Sequence, residues 1–315
     1  MSLTIGVDVG GTKVAAGVVD EDGTIVEKLK RATPAARPDA TADVIAGVVL
    51  ELLGRHRVTA VGIGAAGFVD ETRSAVLFAP NLAWRDEPLK KRVEDRIGRP
   101  VVVENDANAA AWAEATQGAA RDQQHMMLIT VGTGIGAGIV LDGRLYRGRW
   151  GSAGEPGHYR VVPDGRLCGC GNRGCWEQYA SGNALVAEAR ELAHRAPSAA
   201  VRMLQLGDGT PDGIDGPAVT QAAREGDAGA LSCFEIIGSW LGHGLADLAA
   251  IIDPGCFVIG GGVSDAGEIL LGPARTAYHN SLTGRSHREF AEVRLARLGP
   301  DAGLIGASSL ARIPG

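Results

Sequence analysis

The chain lacks the marks of export, membrane insertion and nucleic-acid binding. Its first residues, Met-Ser-Leu-Thr-Ile-Gly-Val-Asp, carry neither a basic start nor a long apolar core, so no secretory signal is expected. No apolar run approaches the length of about 18 residues needed to span a bilayer. The net charge of −6 supplies no basic footprint for DNA, RNA or an anionic membrane. The expectation is therefore a cytoplasmic protein with no nucleic-acid or membrane partner. Nor is there a Pro-rich or Ser-rich linker in the 315 residues, which suffice for two packed domains. Cysteine is scarce, at five residues, yet Cys168, Cys170 and Cys175 fall within eight positions. In a reducing compartment that spacing points to a metal before a disulfide.

Glycine, by contrast, is abundant: 46 residues, gathered in short clusters between apolar runs, the pattern of functional turns. Residues 3–8, 14–20 and 24–31 read as strands, the last two joined by an Asp22-Gly23 turn. A helix is predicted over 40–56, strands over 58–65 and 100–104, and an Ala-rich helix over about 106–116. Strands at 126–131 and 138–141 then flank Gly132-Thr-Gly-Ile-Gly136 and close on Asp142-Gly143. This repeats the first hairpin in kind, and we read it as an internal duplication of two related α/β units. Residues 150–178 have little periodicity, and a loop that long needs a purpose or an anchor. Helices dominate from about 182, with a long apolar one over 228–252, a strand at 256–259 and a final helix at about 302–311.

Asp8-Val-Gly-Gly-Thr-Lys13 is a candidate phosphate turn. Gly10 and Gly11 allow close backbone approach, Thr12 and Lys13 add donors, and Asp8 at a strand end is placed to hold Mg²⁺. It is not a P-loop, because a strand follows where that motif requires a helix. An ordinary tight hairpin would use the same residues. Gly132, Thr133 and Gly134 form a second such turn, and Gly261 and Gly262 a third close-approach point. Glu104-Asn105-Asp106 ends a strand and starts a helix, where open α/β folds place ligands. Asn and Asp are also favoured N-caps, but one cap explains only one of the three. Phosphoryl transfer to a hydroxyl needs a carboxylate to take its proton, so Asp106 is the candidate base and Asn105 a hydroxyl partner. His158 with Cys168, Cys170 and Cys175 matches a closed zinc site. Such a site would order the loop and fix Glu155 and Glu177, which flank the ligands and could accept bonds from sugar hydroxyls. Asn81 is a further candidate for sugar contact.

Taken together, Asp8–Lys13, Glu104–Asp106, Gly132–Gly136, Glu155-Pro-Gly-His158 and Cys168-Gly-Cys-Gly-Asn-Arg-Gly-Cys175-Trp-Glu177 resemble the ROK family of repressors, open reading frames and sugar kinases, along essentially the whole chain. Within it, the bacterial glucokinases are the members it looks most like. The resemblance implies an α/β, actin-like ATPase (ribonuclease H-like) fold with two domains and a sugar cleft between them. The expected domains are 1–109 plus about 301–315, and 110–300 carrying the zinc loop 150–178. It implies ATP-dependent phosphorylation of glucose at the 6-hydroxyl, with Asp106 as catalytic base. Asn105, Glu155, His158 and Glu177 would contact the sugar, His158 also ligating Zn²⁺. ATP with Mg²⁺ would lie across residues 10–12, Thr133, Gly261 and Gly262, and family members are often dimers or tetramers. Fructose, mannose and N-acetylmannosamine kinases and polyphosphate-dependent variants share the pattern. So do sugar-responsive repressors, although a strand beginning near Leu3 leaves no room for their DNA-binding segment, and a non-catalytic sugar sensor would not need Asp106.

Overall fold

The protein is described from a computed structural model that covers residues 2–313. Met1, Pro314 and Gly315, at the ends of the expected small domain, lie outside the described residues. Strands β1 (Leu3–Val9), β2 (Lys13–Val19) and β3 (Ile25–Ala32) form an antiparallel meander. Helix α1 (Pro38–Leu53) crosses to β4 (Val58–Ala65), which pairs parallel to β1. A small antiparallel sheet follows, of β5 (Phe68–Val69), β6 (Val76–Phe78) and β7 (Arg85–Glu87). Helix α2 (Leu89–Ile97) then leads to β8 (Val101–Asn105), parallel to β4, and to α3 (Asp106–Thr116). The first main sheet thus runs β3-β2-β1-β4-β8.

The second half repeats this plan. It begins with β9 (Met126–Val131), β10 (Ile135–Leu141) and β11 (Arg144–Tyr146). The turn between the last two carries Asp142 and Gly143, both at positive φ (51° and 68°), as a two-residue hairpin turn of this twist requires. After the long loop come α4 (Glu177–Ala180), α5 (Gly182–Arg195), α6 (Val201–Leu206), α7 (Gly216–Arg224) and α8 (Ala228–Ile252). Strand β12 (Cys256–Gly260), helix α9 (Glu268–Ser281), strand β13 (Glu292–Leu295) and helix α10 (Ala302–Leu310) complete the chain. The second sheet runs β11-β10-β9-β12-β13. In both sheets the order is third, second, first, fourth, fifth, which is the duplication that the paired glycine turns announced.

The chain forms two compact units. One comprises Met1–Leu128, Gly138–Gly154 and Ala296–Gly315; the other comprises Ile129–Ala137 and Glu155–Leu295. In the first, Ile5, Val7, Val61, Ile63 and Val103 pack with Ile45, Val49 and Leu52 of α1, all fully buried. The central strands are buried on both faces, which is why they read as continuous apolar runs rather than alternating ones. On the opposite face lies α10. A Cβ at Gly62 would overlap the Ala307 carbonyl and one at Gly6 the Leu304 carbonyl, so only glycine lets this helix approach the sheet at backbone distance. Thr4 and Ser308 hydroxyls bond across that contact at 2.6 Å.

In the second unit α8 is the central helix, and it corrects one expectation. At 25 residues, with a mean hydropathy of 1.2 over its most apolar stretch, it is long and apolar enough to cross a membrane by length and composition. The sequence reading overlooked this because Ser232, Glu235, Ser239, His243 and Asp247 interrupt the apolar residues. Its buried face, including Phe234, Ile237, Leu241 and Leu245, belongs to the protein core, with Gly238 and Gly242 against α9. Half of the apolar stretch is buried in this way.

Candidate active site

In the first unit Asp8 is the penultimate residue of β1, and residues 10–13 make a tight reversal closed by Gly10 N–H to Lys13 O at 3.0 Å. Thr33 Oγ1 donates to Gly10 O at 2.8 Å and pins the turn from β3's end. Asn81 lies against Gly11, so the structure brings this candidate to the first glycine turn. Burial raises the Asp8 carboxyl above its usual range, opposed by Lys13 and Lys28.

Strand β8 delivers Glu104, Asn105 and Asp106 to α3. Asn105 is the N-cap: its Oδ1 accepts from Asn108 N–H at 3.0 Å while its Nδ2 donates to Gly67 O at 3.1 Å. The capping role foreseen for one of the three therefore falls on Asn105. Asp106, half-buried in the first turn of α3, keeps a light anchor, with Oδ1 accepting from Ala107 N–H at 3.0 Å. Burial, then the nearby charge of Asp8, pushes its carboxyl up to about 6. A carboxylate so placed is more basic than usual and can still ionise at neutral pH, the condition for a general base.

The second unit holds the other candidates. In the turn after β9, Gly182 N–H donates to Gly132 O at 2.7 Å and Asn183 N–H to Thr133 O at 3.3 Å. These bonds seat the turn on the start of α5, which Ser181 caps. Gly132, Thr133 and Gly262 line a cavity of about 750 Å³ together with Asn183, Thr220 and Arg224. Gly261, the neighbour of Gly262, packs against the Val131 backbone and does not line this cavity. Gly134 faces elsewhere: a Cβ there would overlap Glu177 Oε2, and that oxygen accepts from Ile135 N–H at 3.4 Å.

Glu155 precedes a single turn of 3₁₀ helix, Pro156–His158, which presents His158 to the cysteines. His158 Nδ1 is 3.7 Å from Cys168 Sγ, and Cys170 Sγ is 3.6 Å from Cys175 Sγ. The four ligand atoms all lie within 4.8 Å of one another. Metal–sulfur bonds of about 2.3 Å in a tetrahedron put sulfurs roughly 3.8 Å apart, so this donor set fits zinc. Cys168 Sγ lies 2.9 Å from Glu177 Oε1, which places the glutamate beside the cluster. The loop is anchored by Trp176, which is fully buried and donates to Trp240 O of α8 at 2.8 Å.

The sequence matches the model of the ROK family across residues 4–313. This chain belongs to the ROK family. Among its relatives, the glucokinase of Streptomyces coelicolor is 53% identical over 314 residues, taking in 100% of this chain and 99% of that protein. The glucokinase of Thermotoga maritima is 38% identical over 310 residues, 97% of this chain and 96% of that one. The crystal structure of a ROK family glucokinase from Streptomyces griseus in complex with glucose and AMPPNP superposes with a TM-score of 0.90 at 54% identity, covering 99% of each chain. The expected actin-like ATPase fold is thus the fold of this ROK protein.

Several residues of this ROK chain that line the cavity or contact the candidate site residues escaped the sequence reading. Asn183, Thr220 and Arg224 of the cavity sit on α5 and α7, where nothing but ordinary helical patterning marks them. Arg73 and Arg147, which grip Glu104, lie in segments without a motif. Trp176 had a signal, an aromatic residue directly after the last cysteine, but its burial depends on Gly244 of α8, which yields room for the indole ring.

Proposed function

We propose that this protein phosphorylates glucose at the 6-hydroxyl from ATP. It is an ATP-dependent hexose kinase: Streptomyces glucokinases align with 99–100% of its length at 53–54% identity. The observation that carries the mechanism is Asp106, at a strand's end, with a carboxyl raised to about 6 by burial and by Asp8. Asp106 accepts the proton of the sugar hydroxyl as the phosphoryl group transfers. Asn105 has spent its oxygen on the helix cap, so it offers the sugar its remaining N–H. Glu155 and Glu177 accept from the other hydroxyls, His158 donates to one of them, and Asn81 stands beside the phosphate turn. Nδ1 of His158 faces the cysteines, leaving the opposite ring nitrogen for the sugar.

The cavity beside Gly132, Thr133 and Gly262 supports a nucleotide in this reading, and residues 10–13 support its phosphates. Asp8 would hold Mg²⁺, whose charge neutralises the phosphate oxygens; its half-buried, raised carboxyl suits a cation partner. His158, Cys168, Cys170 and Cys175 would hold a structural Zn²⁺ that orders the loop. We further propose a cytoplasmic homo-oligomer, and a functional division into residues 1–109 plus about 301–315 and residues 110–300.

The test is Asp106→Asn. Turnover should fall by about 10³-fold or more while glucose binding stays within a few-fold. Near-normal turnover would refute the assignment. The same assay across glucose, mannose, fructose and N-acetylmannosamine fixes the acceptor.

A further inference from the structure

Glu104 is 1% exposed, and a carboxylate buried so deeply requires compensation. Its Oε1 accepts from Asn105 N–H at 3.0 Å, from Asn108 Nδ2 at 3.1 Å and from Arg147 Nε at 3.1 Å. Its Oε2 lies 2.9 Å from Arg147 Nε and 3.1 Å from Arg73 Nε. Arg147 reaches further with the same guanidinium, donating from Nη2 to Asp70 O at 2.8 Å and from Nη1 to Glu71 O at 3.1 Å. One side chain therefore binds the end of β8 to the turn between β5 and β6.

That turn is itself fixed. Asp70 Oδ1 accepts from Ser74 N–H and Ala75 N–H at 2.7 and 2.9 Å, and Arg73 sits at φ 56°, left-handed backbone that a non-glycine residue adopts only under constraint. Arg73 O accepts from Val103 N–H at 3.1 Å, so the turn is bonded to β8 as well. Gly151 passes against Val69 and Asp70, and the segment holding Arg147 and Gly151 runs directly into Glu155.

We propose that Arg147, assisted by Arg73, is a positioning residue for phosphoryl transfer: through Glu104 it sets the strand end that carries Asn105 and Asp106. The proposal rests on Asp106 being the base. Its physical logic is the placement of Glu104. The carboxylate takes the Asn105 N–H and the side chain of Asn108, whose own N–H is capped by Asn105 Oδ1. Any shift of Glu104 is therefore passed within one or two residues to the base. Arg147 is chosen for its fork. A guanidinium can serve Glu104, Asp70 O and Glu71 O at once, whereas an ammonium cannot hold that geometry.

The experiment compares Arg147→Met, Arg147→Lys, Asp106→Asn and the Asp106→Asn/Arg147→Met double variant, all assayed well below their unfolding temperatures. Arg147→Met should lower kcat by about 30- to 100-fold, the scale of an ångström of misplacement, with the KM for ATP within about twofold of the parent. Arg147→Lys should recover only part of the loss. In the Asp106→Asn background, Arg147→Met should cost less than about threefold further, because residues acting through one group are not additive. An undiminished loss in that background would overturn the proposal, as would normal turnover of Arg147→Met beside an inactive Asp106→Asn. Turnover by Asp106→Asn itself would overturn the base and the proposal together.

Discussion

Gly134→Ala separates two reasons for a glycine in the turn after β9. A phosphate turn needs glycine so that backbone can approach the nucleotide. At Gly134 the structure supplies a different reason, since a Cβ would overlap Glu177 Oε2, with Glu177 Cδ at 3.5 Å. No such neighbour meets a Cβ at Gly132, which lines the cavity proposed for the nucleotide. The obstacle is the far end of a flexible side chain, so the folding cost should be small, about 1 kcal/mol or less. The carboxylate, however, must swing away from Ile135 N–H, which lies 3.4 Å from it. A hydrogen bond to a charged group contributes about 1.5–3 kcal/mol, so losing one such sugar contact should raise the KM for glucose about 10- to 100-fold. The KM for ATP should change by less than about threefold, whereas Gly132→Ala should show the reverse pattern. Steady-state kinetics with each substrate varied at saturation of the other decides the matter. A Gly134→Ala enzyme with impaired ATP binding and unaltered glucose KM would refute the reasoning.

Two further outcomes follow from the site. Because the Asp106 carboxyl is raised to about 6 by burial and Asp8, and the base must be ionised, kcat/KM for glucose should fall as pH drops through that region; a flat profile from about pH 7.5 to 5 would contradict it. Protein purified without added zinc should carry about one zinc per chain, and chelation should expose residues 159–177 to protease. Folded, active protein free of zinc would contradict the metal assignment.

The sequence by itself determined what depends on neighbours along the chain. The Gly10–Thr12 and Gly132–Gly134 turns, the acidic strand end at Asp106 and the His158/Cys168/Cys170/Cys175 spacing are local patterns, because turns, caps and metal knuckles draw on residues a few positions apart. The duplication was legible for the same reason, each hairpin repeating its own short-range signals, and the two sheets share one strand order. The strands β5–β7 were not legible: two or three residues are too few to display a period.

Tertiary structure alone decided which of the marked residues touch and what else joins them. It made Asn105 the helix cap and left Asp106 the freer carboxylate. It turned Gly134 toward Glu177 rather than the cavity beside Gly132, and brought Thr220 and Arg224 to that cavity from a helix with no motif. It gathered Arg73 and Arg147 around Glu104 from positions 31 and 43 residues away in sequence. Such pairings are set by sheet order and by a buried charge's need for partners, and neither leaves a mark in local spacing.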